Sequence, residues 1–128
     1  VTTAAAVLAC VVLAALAAFQ LALALGAPWG RFAWGGQHER ELPRPLRIGS
    51  AVSIALYALF AVLVLDRAGL VDVLPDGVSS VGAWVLVGYL ALGVVMNGIS
   101  RSRSERLVMT PTVVVLLVCA VVVARSPL

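Results

Sequence analysis

The chain has 128 residues, 62% of them hydrophobic and only 12% charged, with a mean hydropathy of +1.10. That balance excludes a water-soluble domain, because so short a chain buries a limited share of its surface and soluble domains carry about 25% charged residues. The net charge of +3 comes from arginines gathered between apolar runs, a pattern of membrane orientation that excludes nucleic acid as the partner.

The first apolar run covers about residues 3–25 and has Gln20 as its one strongly polar side chain. About 20 apolar residues cross roughly 30 Å of hydrocarbon as a helix, so this run suffices. No basic segment precedes it, and it exceeds the roughly 7–15 residue apolar core of a secretory leader. A spanning helix is therefore expected in place of a cleaved signal. Ala6, Cys10, Ala14, Ala18, Ala22 and Gly26 recur every four residues as a ridge of small side chains. Such ridges let a second backbone approach closely, inside the bundle or on a partner.

The connection at residues 26–47 reads GAPWGRFAWGGQHERELPRPLR. It is the one long polar interruption and carries Trp29, Trp34, the sole histidine His38, and Arg31, Arg40, Arg44 and Arg47. Pro28 and the tryptophans argue against a floppy linker. Indole rings suit the headgroup level, as an interfacial belt or as a cap over polar groups beneath. His38 sits among charges, where a solvated imidazole is the plainer expectation.

The second span is predicted at about residues 48–65, with Ser50, Ser53 and Tyr57 on one face by their spacing of three and four. The connection 66–80 is acidic, with a turn at Pro75-Asp76-Gly77. The third span, about residues 81–99, puts Tyr89, Gly93 and Asn97 on one face. A basic connection, residues 100–106, leads to the fourth span, about residues 107–124, with Pro111 expected in its first turn. Continuous apolar runs of this length fit helices and not the alternating strands of a barrel. The expected fold is thus an all-α, integral membrane four-helix transmembrane bundle, one domain over residues 1–128.

Arginine placement predicts the orientation. Seven of the nine arginines lie in the first and third connections, which two crossings place on the same side. That side is expected to be cytoplasmic, leaving both termini extracytoplasmic. The all-arginine basic set and the Ala/Val/Leu excess point to a GC-rich bacterial genome, hence a bacterial inner membrane. Leu23-Ala24-Leu25-Gly26 and Leu90-Ala91-Leu92-Gly93 precede the two basic connections and raise the idea of a hairpin duplication, although LALG is a cheap match in so Leu/Ala-rich a chain.

In this orientation Gln20, Ser53 and Asn97 fall at one level beneath the long connection, with Tyr57 and Tyr89 nearer the midplane. Two readings follow. The polar groups bond across helices and fix the bundle, at roughly 0.6 kcal/mol per contact. Alternatively Gln20, Ser53, Tyr57, Tyr89 and Asn97, with Trp29, Trp34 and His38 above them, line a vestibule that binds a ligand. No acid lies inside any predicted span, which argues against a proton-driven pump. Cys10 and Cys119 are isolated and apolar in context, and nucleotide, P-loop and zinc-hydrolase motifs are absent, so neither cofactor, metal nor catalytic residue is expected. The favoured expectation is a non-catalytic accessory subunit in contact with membrane lipids, partner membrane subunits or further copies of itself. The alternative is a small oligomeric transporter or channel.

Overall fold

The computed structural model describes residues 1–126, and among them it contains helices and no strand. Four long helices follow one another: α1 (Thr2–Ala24), α2 (Arg44–Arg67), α3 (Asp76–Gly98) and α4 (Arg103–Ala124). Two single turns of 3₁₀ helix, Gly30–Phe32 and Trp34–Gly36, shape the connection between α1 and α2. All four helices are long and apolar enough to cross a membrane. At about 1.5 Å per residue they run roughly 33–36 Å, a little more than the hydrocarbon thickness. The chain is a multi-pass membrane protein.

The helices start earlier than hydropathy alone suggests. Arg44, Asp76 and Arg103 open α2, α3 and α4, where the apolar runs begin only at about residues 48, 81 and 107. Each added turn has a local cause. Pro43 and Pro75 stand at the N-cap positions with extended backbone, and Pro45 occupies the first turn of α2, where its missing N–H costs nothing. Ser102 caps α4 by accepting the Glu105 N–H. The earlier start moves Pro111 out of the first turn and into the body of α4. It also places Glu105 in a helix and not in the connection.

Consecutive helices run antiparallel in a ring. α1 packs most extensively on α2 and α3 on α4, the α1–α4 side closes the ring, and α2 and α3 touch least among neighbours. Lipid tails are as apolar as leucine, so association here depends on close packing more than on expulsion from water. Ala6 and Ala9 of α1 are buried to 1% exposure or less and admit Phe60 and Val64 of α2, Leu86 and Leu90 of α3, and Leu116, Ala120 and Val123 of α4. This tight core fills the half of the bundle that holds the start of α1 and the end of α4. On the same half Gly82 of α3 lets Leu63 of α2 close in, since a Cβ there would come 2.6 Å from the leucine.

The small-residue ridge turns out to be only partly internal. Ala6 is buried, Ala14 and Ala18 are exposed, and the buried face instead runs through Ala6, Ala9 and Leu13. A strict spacing of four drifts around a helix of 3.6 residues per turn, which carries the ridge outward. The outer surface of the bundle is a belt of Val, Leu and Ile side chains, suited to lipid contact. The two LALG segments are not equivalent either. One straddles the end of α1, and the other lies inside α3 more than a turn before its end.

At the end opposite the long connection, Asp66 closes the α2–α3 link. Its carboxylate accepts the backbone N–H of both Val73 and Leu74 at 2.8 Å. Arg67 beside it donates to the carbonyls of Ala124 and Ser126, which fastens the end of α4 to the end of α2.

Candidate functional site

The long connection folds back over the other half of the bundle. Gly30 N–H donates to the Arg40 carbonyl at 2.7 Å and Arg31 N–H to the Glu39 carbonyl at 3.2 Å, so the two sides of the loop are hydrogen-bonded to each other. Gly30 is required there, because a Cβ would collide with the carbonyls of His38 and Arg40. Leu23 at the end of α1, Ala33 and Leu42 form a small buried cluster that pins the loop to the helix end. Arg47 adds a hydrogen bond from its Nε to the Ala24 carbonyl at 3.0 Å.

Trp34 is the centre of this cap. Its backbone is left-handed, φ 55°, a conformation that costs a bulky residue about 1–3 kcal/mol and persists only where the surroundings impose it. Two contacts do so. The indole Nε1–H donates to the Ser50 hydroxyl at 3.1 Å, and the ring lies on Gly49, where a Cβ would come 2.8 Å from it.

Beneath the cap is a cavity of about 240 Å³. Its walls come from every helix and from the loop: Gln20 and Phe19 from α1, Ser53 and Tyr57 from α2, Tyr89 and Asn97 from α3, Glu105 and Met109 from α4, and Phe32 and Trp34 from the cap. A second, larger and more apolar space of about 420 Å³ adjoins it. The two share Leu16, Trp34, Tyr57, Tyr89, Asn97 and Val113. The second space reaches Leu92 and Met96, both well exposed on α3, on the flank where α2 and α3 are least closely packed. A polar chamber under the cap thus continues into an apolar crevice toward the lipid-facing surface.

Six of the eight residues predicted to form a site meet in this chamber: Gln20, Trp34, Ser53, Tyr57, Tyr89 and Asn97. Trp29 lies outside it, stacked on Phe19 with centroids 6.5 Å apart and planes 3° from parallel. His38 also stands outside, on the far edge of the loop, where its carbonyl faces Gly30.

Hydrogen bonding within the chamber leaves acceptors unused. Gln20 Nε2 donates to the Tyr57 hydroxyl at 3.3 Å, while Gln20 Oε1 is buried with no partner among the described residues. Asn97 Nδ2 donates to the Gly93 carbonyl of its own helix at 2.7 Å, and the Ser53 hydroxyl donates to Gly49 at 3.0 Å. Both side chains therefore spend donors on their own helices and keep oxygen lone pairs free.

Glu105 is the residue that sequence reasoning missed. Its sequence neighbours suggest a basic turn, yet it lies in the first turn of α4, 5% exposed, and lines the chamber. Ser102-x-x-Glu105 has the spacing of a capping box, which was the available signal. Only half of the box forms. Ser102 Oγ accepts the Glu105 N–H, but the Ser102 N–H is taken at 3.1 Å by Ser100 Oγ. The Glu105 carboxylate, released from its local role, reaches across to the Gly35 N–H of the cap at 3.4 Å. The Ser102 hydroxyl ties the same cap down through the Arg31 carbonyl.

Among the described residues no cation pairs with Glu105, and the one ion pair is the exposed Arg40–Glu41 contact at 3.9 Å. No group of three or more His, Cys, Asp or Glu among them is arranged to hold a metal ion. Comparison with family models, curated proteins and solved structures finds no match to this chain.

Proposed function

We propose that this small membrane protein binds an amphipathic small molecule in the capped chamber and exchanges it with the bilayer through the α2–α3 crevice, as a small transporter or lipid-binding carrier. One observation carries the reading: polar side chains from four helices converge under a strained cap, and the space they line continues into an apolar crevice. Pockets that bind small molecules share this composition, mostly apolar walls with a few convergent polar groups. Bundle-fixing polar contacts explain it less well, because Gln20 Oε1 is left unpaired and Asn97 and Ser53 bond within their own helices.

In this reading the arginine-bearing end, and with it the chamber, faces the cytoplasm. The accessory-subunit reading keeps one supporting feature, the outward-facing Ala14 and Ala18, on which a partner helix fits closely.

Native mass spectrometry after gentle extraction tests the proposal. The wild-type chain is expected to retain a lipid-like adduct that Gln20→Leu loses while keeping its helical content. An equal adduct in both proteins, or none in either, overturns the chamber reading. A co-purified unrelated subunit without an adduct favours the accessory reading.

A further inference from the structure

We infer that the chamber is built for a cation: the head of its ligand is an alkylammonium group, held by the Glu105 carboxylate and an aromatic wall, with the apolar remainder in the crevice. The inference rests on the chamber being a ligand site and adds the charge of what enters it.

Three features support the sign. Glu105 is the sole charged side chain in the chamber wall. A carboxylate 5% exposed and held by a single long hydrogen bond lacks the cation that burial of a charge ordinarily demands. No arginine supplies it, since none among the described residues lies within ion-pair distance of Glu105. Arg47 is engaged with Ala24, Arg106 with the Ser100 carbonyl at 2.6 Å, and Arg31 lies over Phe32, 5.1 Å from the ring centroid.

The second feature is the presence of unused acceptors beside the carboxylate. Asn97 and Ser53, whose side-chain oxygens accept no hydrogen bond among the described residues, line the same space as the carboxylate. An ammonium finds acceptors there next to the carboxylate, whereas an anionic head would meet the like charge of Glu105.

The third is the ring content. Phe19, Phe32, Trp34, Tyr57 and Tyr89 all contribute to the wall, and aromatic faces attract ammonium groups through the ring quadrupole. The cavity of about 240 Å³ has room for a trimethylammonium head, and the adjoining crevice of about 420 Å³ for an alkyl chain.

Two sources offer this head, a membrane lipid with an ammonium headgroup and a free amphipathic amine. Both sources and the charge selection are tested with the full chain in nanodiscs of digalactosyldiacylglycerol, a lipid with neither net charge nor an ammonium group, so that no surface potential favours one probe. The probes are decyltrimethylammonium, decyl sulfate and decyl maltoside, which share a tail and differ in charge. Trp34 emission in a Trp29→Phe, Trp84→Phe background reports binding. The expected result is saturable binding of the cation at least tenfold tighter than of the anion or the neutral probe. Glu105→Gln is expected to weaken the cation at least tenfold and to leave decyl maltoside unchanged.

Equal binding of all three probes, or preference for decyl sulfate, overturns the cation inference and leaves the chamber standing as an amphiphile site. Silence from all three overturns the chamber reading itself. The wild-type comparison stands even if Glu105→Gln fails to fold. Repeating the titration in phosphatidylethanolamine nanodiscs assigns the source: weakened probe binding identifies the lipid headgroup as the occupant, and unchanged binding identifies a free amine.

Discussion

Trp34 hangs from Ser50: the indole N–H donates to a hydroxyl that is itself completely buried in α2, 3.1 Å away. The bond fixes a residue of the loop to the helix below it and holds the left-handed backbone at Trp34 in place. Ser50→Ala removes the acceptor and is expected to destabilise the protein by about 1 kcal/mol. Gly49→Ala acts more sharply, because the added methyl enters the space of the ring. In a Trp29→Phe, Trp84→Phe background, Trp34 emission should shift to the red in both variants, more in Gly49→Ala. An unshifted spectrum in Gly49→Ala would show that the ring does not rest on α2.

The divided capping box predicts an unusual pair of serine variants. Ser102→Ala loses the cap of α4 as well as the tie to the Arg31 carbonyl. It should cost about 1–2 kcal/mol for the cap alone, read as a lower midpoint of thermal unfolding in detergent. Ser100→Ala instead frees the Ser102 N–H and invites the Glu105 side chain back to its own helix end. Its melting point should move little, while decyltrimethylammonium binding falls several-fold. A Ser100→Ala protein that binds as the wild type does would sever the link between the cap and the chamber.

Gln20→Leu replaces a side chain whose buried oxygen lacks a partner with an apolar one of similar size. Burying an unsatisfied polar atom costs about 1–3 kcal/mol, so the variant should unfold at a temperature equal to or above that of the wild type. Loss of ligand binding alongside unimpaired stability is the expected signature. A clear drop in stability would mean that the Gln20–Tyr57 hydrogen bond outweighs the orphaned oxygen.

Asp66 organises the opposite end through its two backbone hydrogen bonds. Asp66→Ala leaves the Val73 and Leu74 N–H groups without that partner and should cost about 1–3 kcal/mol. The connection at residues 68–75 should then become a site of preferential cleavage in limited proteolysis. Asp66→Asn, which keeps an acceptor oxygen, is expected to fall between the two.

Orientation is checked by single cysteines in a Cys10→Ala, Cys119→Ala background. Arg40→Cys and Asp72→Cys place exposed thiols in the connections at opposite ends of the bundle. A membrane-impermeant maleimide should label Asp72→Cys in intact cells and Arg40→Cys only after permeabilisation. The reverse pattern would invert the bundle and put the chamber on the outer face.

The four helices were legible because twenty or so apolar residues in a row have few alternatives in lipid. The helix starts were not, since hydropathy registers Arg44, Asp76 and Arg103 as polar while prolines and a serine cap make them helical. Most of the chamber was readable from depth: Gln20, Ser53 and Asn97 lie at similar distances from the loop end, and the spacing of four from Tyr89 to Asn97 fixed a common face. Glu105 escapes that reasoning for the same reason as the helix start, because the polar composition of residues 100–106 resembles a connection. Proximity in sequence groups Trp29 and His38 with Trp34. The turn at Trp34–Gly36 separates them, sending Trp34 over α2 while Trp29 stays against α1.

The chamber draws its wall from Leu16 near the beginning of the chain to Val113 near its end. No hairpin owns it. As the ribosome feeds the helices into the bilayer one after another, the cavity has no existence until the last of them docks and brings Glu105 under the loop. A product cut short before α4 inserts helices but holds no pocket, so the appearance of binding during synthesis would report completion of the bundle.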